Sequence, residues 1–290
     1  MNIDTIDFRH PEAPRRFDSS LRDTGFAVLV HHPLSPDLVG RVQDEWLAWF
    51  RTDHKFEYLP APGAQEGYHP QSGAETAVGA TIPDVKELFH WYPWGRHPDG
   101  LSDAVADLHR TATDLGTTLL GWLGDETPTH IAAQLSMPLA QMIEGSHRTL
   151  LRILHYPPLT GAEPPGSMRA AAHEDINLLT VLPAATRPGL QVLDTAGRWH
   201  DVPCDPGSVV INSGDMLASA TGGYYPSTTH RVLLPDGDEA LHSRVATPLF
   251  LHAADGVDLG GRTAFEFLRA RLREIRGIDI EPSAPGAQPG

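Results

Sequence analysis

The chain has 290 residues, 40% hydrophobic and 20% charged, an ordinary globular composition that is enough for one large domain or two small ones. Its 22 basic residues against 37 acidic ones leave a formal net charge of −15, which excludes the basic footprint that nucleic acid or an anionic membrane would need. The single cysteine, Cys204, rules out an intrachain disulfide, and no apolar run approaches the roughly 20 residues that span a bilayer. The N-terminal stretch "MNIDTIDFRHPEAPRRF" has no signal-like apolar core, so a cytoplasmic protein without nucleic-acid or membrane partners is the expectation.

In chain order, "GFAVLV" (25–30) reads as a short buried strand. Ser35 then caps a helix that has Pro36 at its first position and Val39, Val42, Trp46, Trp49 and Phe50 on one stripe. Residues 60–85, rich in Pro, Gly, Ala and Thr, read as loop. A second helix starts near Ser102, with Val105, Leu108, Ala112, Leu115, Leu119 and Trp122 at helical spacing; "THIAAQLSMPLAQMI" reads as a proline-interrupted helical piece. From Arg148 the texture changes to short β-rich runs separated by turn residues: "TLLRILHY", "INLLTVLP", "GLQVLD", "GSVVIN", "THRVLL" and "RVATPLFLH". "RTAFEFLRARLREIRG" restores helical period, with Phe265, Leu268, Leu272 and Ile275 on one face and Gly277 as the stop. The expectation is a single domain over 1–277. It comprises a helical part over 1–147, a β core over 148–252 and a closing helix over 262–276, followed by a disordered tail over 278–290.

The stretch "AAHEDINLLTVLP" (171–183) sets His173, Glu174 and Asp175 side by side. Strand side chains alternate faces, so His173 and Asp175 share a face and Glu174 turns away. A histidine and a carboxylate supply two metal ligands, and "STTHRVLL" offers a third, His230, at the start of another strand. Two histidines and a carboxylate on one side of a metal form the facial triad of non-haem Fe(II) oxygenases, although a zinc hydrolase can use similar ligands.

The surrounding motifs narrow this choice. "INSGDMLASATGGYYPSTTHRV" carries Asn212, Gly214, Asp215, Leu217, Thr221, Gly223, Ser227, Thr228, His230, Arg231 and Val232, and resembles the second-histidine stretch of isopenicillin N synthase-like Fe(II)/2-oxoglutarate dioxygenases. "GLQVLDTAGRWHDVP" resembles that family's connecting hairpin, and "LRILHYPPL" its Arg-x-x-x-Tyr-Pro-Pro strand. "GFAVLVHHPLSPDLV", "GYHP" and "KELFHWYP" resemble its N-terminal landmarks. The resemblance implies a mainly β fold with flanking helices, its core a distorted double-stranded β-helix of the jelly-roll, cupin-like kind. It implies Fe(II) held by His173, Asp175 and His230, with 2-oxoglutarate and O2 as cosubstrates. It also implies a hydroxylase releasing succinate and CO2, and the retained carboxylate ligand speaks against a halogenase.

A dicarboxylate cosubstrate needs a cation at its far end, and arginine's fork suits it. The family's R-x-S motif falls on Arg244, with Tyr156 as second contact. Ala246 stands where the serine would be, a loss of about 1 kcal/mol, and Thr247 points to the other face. Leu154 stands where many members have asparagine. Arg152 is expected to brace the fold. Tyr68, His69, Trp91, Trp94, Ile176 and Met216 are expected to contact substrate, with the C-terminal helix near the mouth. The substrate is expected to be a small molecule, amino-acid-derived or another natural-product intermediate, bound by a monomer. Two rival readings are an Fe(II) oxidase of the same fold that uses O2 without 2-oxoglutarate, and a non-catalytic cupin-like binding module.

Overall fold

The computed structural model describes residues 3–61, 63–71, 82–277 and 279–281. Its first half is β1 (Thr5–Asp7), α1 (Ala13–Thr24), β2 (Phe26–Val30), α2 (Pro36–Phe50), β3 (Gly67–His69), β4 (Glu87–Trp91), α3 (Ala104–Glu126) and the single turn α4 (Thr129–Ala132). The second half is β5 (Leu150–Tyr156), β6 (Ala170–His173), β7 (Leu179–Pro183), β8 (Leu190–Leu193), β9 (Trp199–Asp201), β10 (Val209–Ser213), α5 (Asp215–Ala220), β11 (His230–Val232), β12 (Arg244–Ala246), β13 (Leu249–Leu251) and α6 (Ala264–Arg276). Among the described residues no helix is long and apolar enough to cross a membrane.

The strands form two sheets. The larger runs β1-β2-β10-β7-β13-β5-β4-β3, with β12 also pairing β5; the smaller runs β6-β11-β8-β9. Strand alternation gives the larger sheet two different faces. Its outer face, including Phe89, Ile153, Val181 and Ile211, joins Trp46 of α2 and Leu115 and Leu119 of α3 in the main apolar cluster. Its inner face meets the smaller sheet: Phe26, Val28 and Val210 pack on Val192 and Val232. The result is the double-stranded β-helix that the resemblance implied, with open edges rather than a closed barrel.

Two sequence expectations change here. Besides the expected strand at 25–30, now β2, the part before 148 contributes β1, β3 and β4 to the larger sheet; β3 falls in the stretch 60–85 read as loop, of which 62 and 72–81 lie outside the described residues. "ELFHW" of β4 is buried throughout, one face on the helices and the other inside the sandwich, so it shows no apolar–polar alternation. The tail expected from 278 is anchored where it is described: Asp279 ion-pairs with Arg269 and Arg273, and Ile280 is buried. Residues 278 and 282–290 of that tail lie outside the described residues.

Candidate metal centre

His173 ends β6 and His230 begins β11, and the two are direct partners across the smaller sheet. Their ring centroids lie 4.4 Å apart. Asp175 sits two residues further on, in a segment that leaves the smaller sheet and enters the larger one at β7. A continuous strand over 173–182 is therefore not what forms. The segment is held by backbone bonds from the start of α5, with Asp215 N–H to Asp175 O at 2.7 Å and Met216 N–H to Ile176 O at 3.0 Å. Gly214 makes this approach possible, since a Cβ there would lie 2.3 Å from the Asn177 carbonyl oxygen and 2.8 Å from that of Asp175.

The crossover brings three donor atoms together. Nε2 of His173 and Nε2 of His230 each lie 3.8 Å from Asp175 Oδ1. His173 Nδ1 faces the Ala171 carbonyl at 2.7 Å and His230 Nδ1 faces that of Thr228 at 3.1 Å. A carbonyl only accepts, so each Nδ1 carries the hydrogen and each Nε2 turns a lone pair inward. Asp175 Oδ2 accepts from Thr180 Oγ1 at 2.5 Å and Asn212 Nδ2 at 2.8 Å, which leaves Oδ1 for a metal. Loss of water, and then the adjacent His230, push the His173 pKa down to about 3. Burial acts to raise Asp175, but the two histidines and the bonds from Thr180 and Asn212 outweigh it and hold the carboxyl below its ordinary range. Two imidazole nitrogens and one carboxylate oxygen are the donor set that suits Fe(II) with open positions. Glu174 is exposed and accepts from Thr229 Oγ1 at 2.9 Å, outside this cluster.

A cavity of about 310 Å³ opens onto His173 and Asp175. Ile176, Leu150 and Phe250 line it, and Leu268, Leu272 and Ile275 of α6 form its outer wall. Arg152 also lines it and does more than brace the fold: its Nε donates to His90 Nε2 at 3.0 Å and its guanidinium lies 5.0 Å from the Phe250 ring. Alternation along β5 places Arg152 on the inner face with Tyr156, a signal the sequence contained. His90 carries no such signal, because its inward direction depends on β4 pairing with β5.

Of the six residues expected to contact substrate, only Ile176 lines the cavity. Tyr68 packs against Trp49 and Phe50 and donates to Glu87 on the helix side of the sheet. Trp91, one residue from His90, faces the same side and meets His109. Met216 is buried in the main cluster. His69 sits behind His90, with ring centroids 4.6 Å apart. Trp94 is 44% exposed and stacks on Tyr92, which does line the cavity. Tyr68, His69 and Trp91 are held away from the cavity because β3 and β4 belong to the sheet rather than to a loop over the site.

Arg244 and Tyr156 are cross-strand partners, and the guanidinium lies 5.0 Å from the tyrosine ring. Arg244 is buried; its Nε donates to the Arg187 carbonyl at 2.8 Å, and its Nη1 has no hydrogen-bond partner. That orphaned cation fits the far carboxylate of a dicarboxylate. Ala246 pairs directly with Leu154, and with Leu88 they form one apolar cluster. The two departures from the motif thus meet at one spot, where an apolar contact stands in place of a hydroxyl and an amide. Thr247 is fully buried and its Oγ1 has no hydrogen-bond partner. Neither Arg244 nor Tyr156 lines the 310 Å³ cavity.

A double-stranded β-helix carrying two histidines and one carboxylate defines a non-haem iron oxygenase as the class. The model of the 2OG-Fe(II) oxygenase superfamily matches residues 148–253, which contain His173, Asp175 and His230. A Shewanella oneidensis protein classed as an oxygenase is 47% identical, with a TM-score of 0.85 over 94% of this chain and 98% of that one. A Caulobacter crescentus protein assigned to the 2OG-Fe(II) oxygenase family is 30% identical, with a TM-score of 0.76 over 94% and 99%. The homoarginine-6-hydroxylase 2-ODD-C23.1 of Arabidopsis thaliana is 26% identical over 248 residues, 77% of this chain and 72% of the relative. The chain belongs to the 2OG-Fe(II) oxygenase superfamily: it is an oxidoreductase, a dioxygenase that uses Fe(II), 2-oxoglutarate and O2.

Proposed function

We propose that this enzyme hydroxylates a C–H bond of a small amphipathic molecule, with His173, Asp175 and His230 as the iron ligands and Arg244 with Tyr156 as the anchor for 2-oxoglutarate. The observation that carries this reading is the convergence of two Nε2 atoms and one Oδ1 beside a cavity. Bound Fe(II) would couple oxidative decarboxylation of 2-oxoglutarate, to succinate and CO2, with oxidation of the substrate. The protein's part is to fix both partners and shed water. Thr180 and Asn212 orient Asp175; the Ala171 and Thr228 carbonyls orient the imidazoles.

A volume of about 310 Å³ suits one small molecule. Leu150, Phe250, Leu268 and Leu272 supply an apolar wall, while His90 and Arg152 supply a polar one. Relatives named as homoarginine hydroxylase and gibberellin dioxygenase differ in substrate skeleton, so only the small-molecule class carries over. An amino-acid-derived or other natural-product intermediate fits. All three ligands come from one chain, which suits a monomer, and the lone Cys204 suits a reducing cytoplasm.

Anaerobic titration of the Fe(II) protein with 2-oxoglutarate tests this. Metal-to-ligand charge-transfer absorption is expected, followed by substrate-dependent succinate release in air. Absence of both would overturn it, and Fe(II) binding that survives His230→Ala would overturn the ligand assignment.

A further inference from the structure

Arg169 has no role in the account above. It lies four residues before the first histidine ligand, and it is 1% exposed. Its Nη2 donates to the His242 carbonyl at 3.2 Å, and its Nε has no hydrogen-bond partner. Its guanidinium carbon lies 5.7 Å from the centroid of the Tyr156 ring, the same ring that Arg244 approaches to 5.0 Å. Two buried guanidinium groups therefore share one phenol. Among the described residues the side chain of each donates only to a backbone carbonyl, and neither has an ion-pair partner. Glu239 acts on Arg169 through space but is engaged by Arg187, whose Nη1 lies 2.7 Å from each of its carboxylate oxygens.

Two buried like charges without a counter-charge oppose folding unless an anion joins them. Burial, and then the nearby Arg244, push Arg169 down to about 10, which still leaves it protonated at neutral pH. On the same inner face, Ala246 and Leu154 have removed the hydroxyl and amide that would otherwise complete a carboxylate site. A charged hydrogen bond is stronger than the neutral one it would replace.

We propose that Arg169 is a second cationic ligand for the distal carboxylate of 2-oxoglutarate, acting with Arg244 at Tyr156 in place of the hydroxyl absent at Ala246. This rests on the assignment of Arg244 and Tyr156 to that cosubstrate. It makes the site stricter in charge than a one-arginine site, since a ligand without the far carboxylate leaves two cations unanswered.

The test is anaerobic calorimetry on the Fe(II) protein with two probes, 2-oxoglutarate and 2-oxovalerate, which keeps the 2-oxo acid head and ends in a methyl group. Arg169→Gln is expected to weaken 2-oxoglutarate binding roughly 10- to 100-fold, with Fe(II) and 2-oxovalerate binding unchanged. Arg169→Lys keeps the charge but not the fork, and is expected to fall between; it decides the matter if Arg169→Gln does not fold. Adding Ala246→Ser to Arg169→Gln should recover part of the loss. A 2-oxoglutarate affinity within about twofold of wild type in both Arg169 variants would overturn the proposal, as would an equal loss for 2-oxovalerate. If Arg244→Gln leaves 2-oxoglutarate affinity unchanged, the underlying anchor assignment fails instead, which Arg169 variants alone would not reveal.

Discussion

At the scale of single residues, the metal centre is a division of labour inside one carboxyl group. Asp175 Oδ2 is spent on Thr180 and Asn212, so that Oδ1 stands fixed between two imidazole nitrogens. Asn212→Ala should lower Fe(II) affinity by roughly 10- to 100-fold in equilibrium dialysis, without touching a ligand. Glu174→Gln should leave that affinity as it was, because Glu174 bonds to Thr229 and is not one of the three converging donors; a loss as large as that from Asp175→Asn would reverse the choice between the two acids. The choice is legible in the sequence through the "STTHRV" setting of His230 and the resemblance it carries; alternation also points to Asp175, but through a strand that ends at His173. Asn212 as a partner of Asp175 is not legible, because 37 residues and a change of sheet separate them.

At the scale of elements, the strands of the first half carry a buried polar network on the helix side of the sheet. Glu87 of β4 accepts from Lys55 Nζ at 2.9 Å and from Tyr68, and pairs with His155 Nδ1 at 2.7 Å. Burial acts to raise its pKa, but His155, Tyr68 and Lys55 together hold it below the ordinary 4.5. A depressed carboxyl stabilises the fold above its unfolded pKa and loses that contribution as pH falls through the folded one. Glu87→Gln should therefore cost about 2 kcal/mol in denaturant unfolding at neutral pH, and the gap from wild type should narrow steadily below pH 4.5. The strand containing Glu87 is hard to read from sequence because burial on both faces erases the period-two pattern. The closing helix is easy to read: its Phe265, Leu268, Leu272 and Ile275 stripe and Gly277 stop are present, and Thr263 with Glu266 completes a capping box. Thr263→Ala should destabilise α6 by about 1 kcal/mol, visible as faster amide exchange in that helix and a raised KM for the small-molecule substrate.

At the scale of the whole molecule, the three proposed ligands are drawn from the territory of two sheets whose edges are open. His173 and His230 belong to the smaller sheet, while Asp175 is braced by Thr180 of β7 and Asn212 of β10 in the larger one. Fe(II) should therefore raise the midpoint of thermal unfolding, by about 2.7 kcal/mol of stability at a free metal concentration 100 times Kd. Chelation should reverse this and speed exchange in β6 and β11 first. The β core from 148 is legible as spaced short strands; the aromatic residues of β3 and β4 mislead, because aromaticity alone does not tell a pocket wall from a core. The wall that α6 and Ile280 build lies beyond residue 253, outside the span that the superfamily model matches and that holds the iron ligands. The cavity thus draws on both stretches, with Leu150, Arg152, Ile176 and Phe250 inside the matched span and Leu268, Leu272, Ile275 and Ile280 beyond it. Substitutions confined to 264–281 should therefore change which small molecule is turned over while leaving Fe(II) affinity as it was, because that wall can be rebuilt without moving His173, Asp175 or His230.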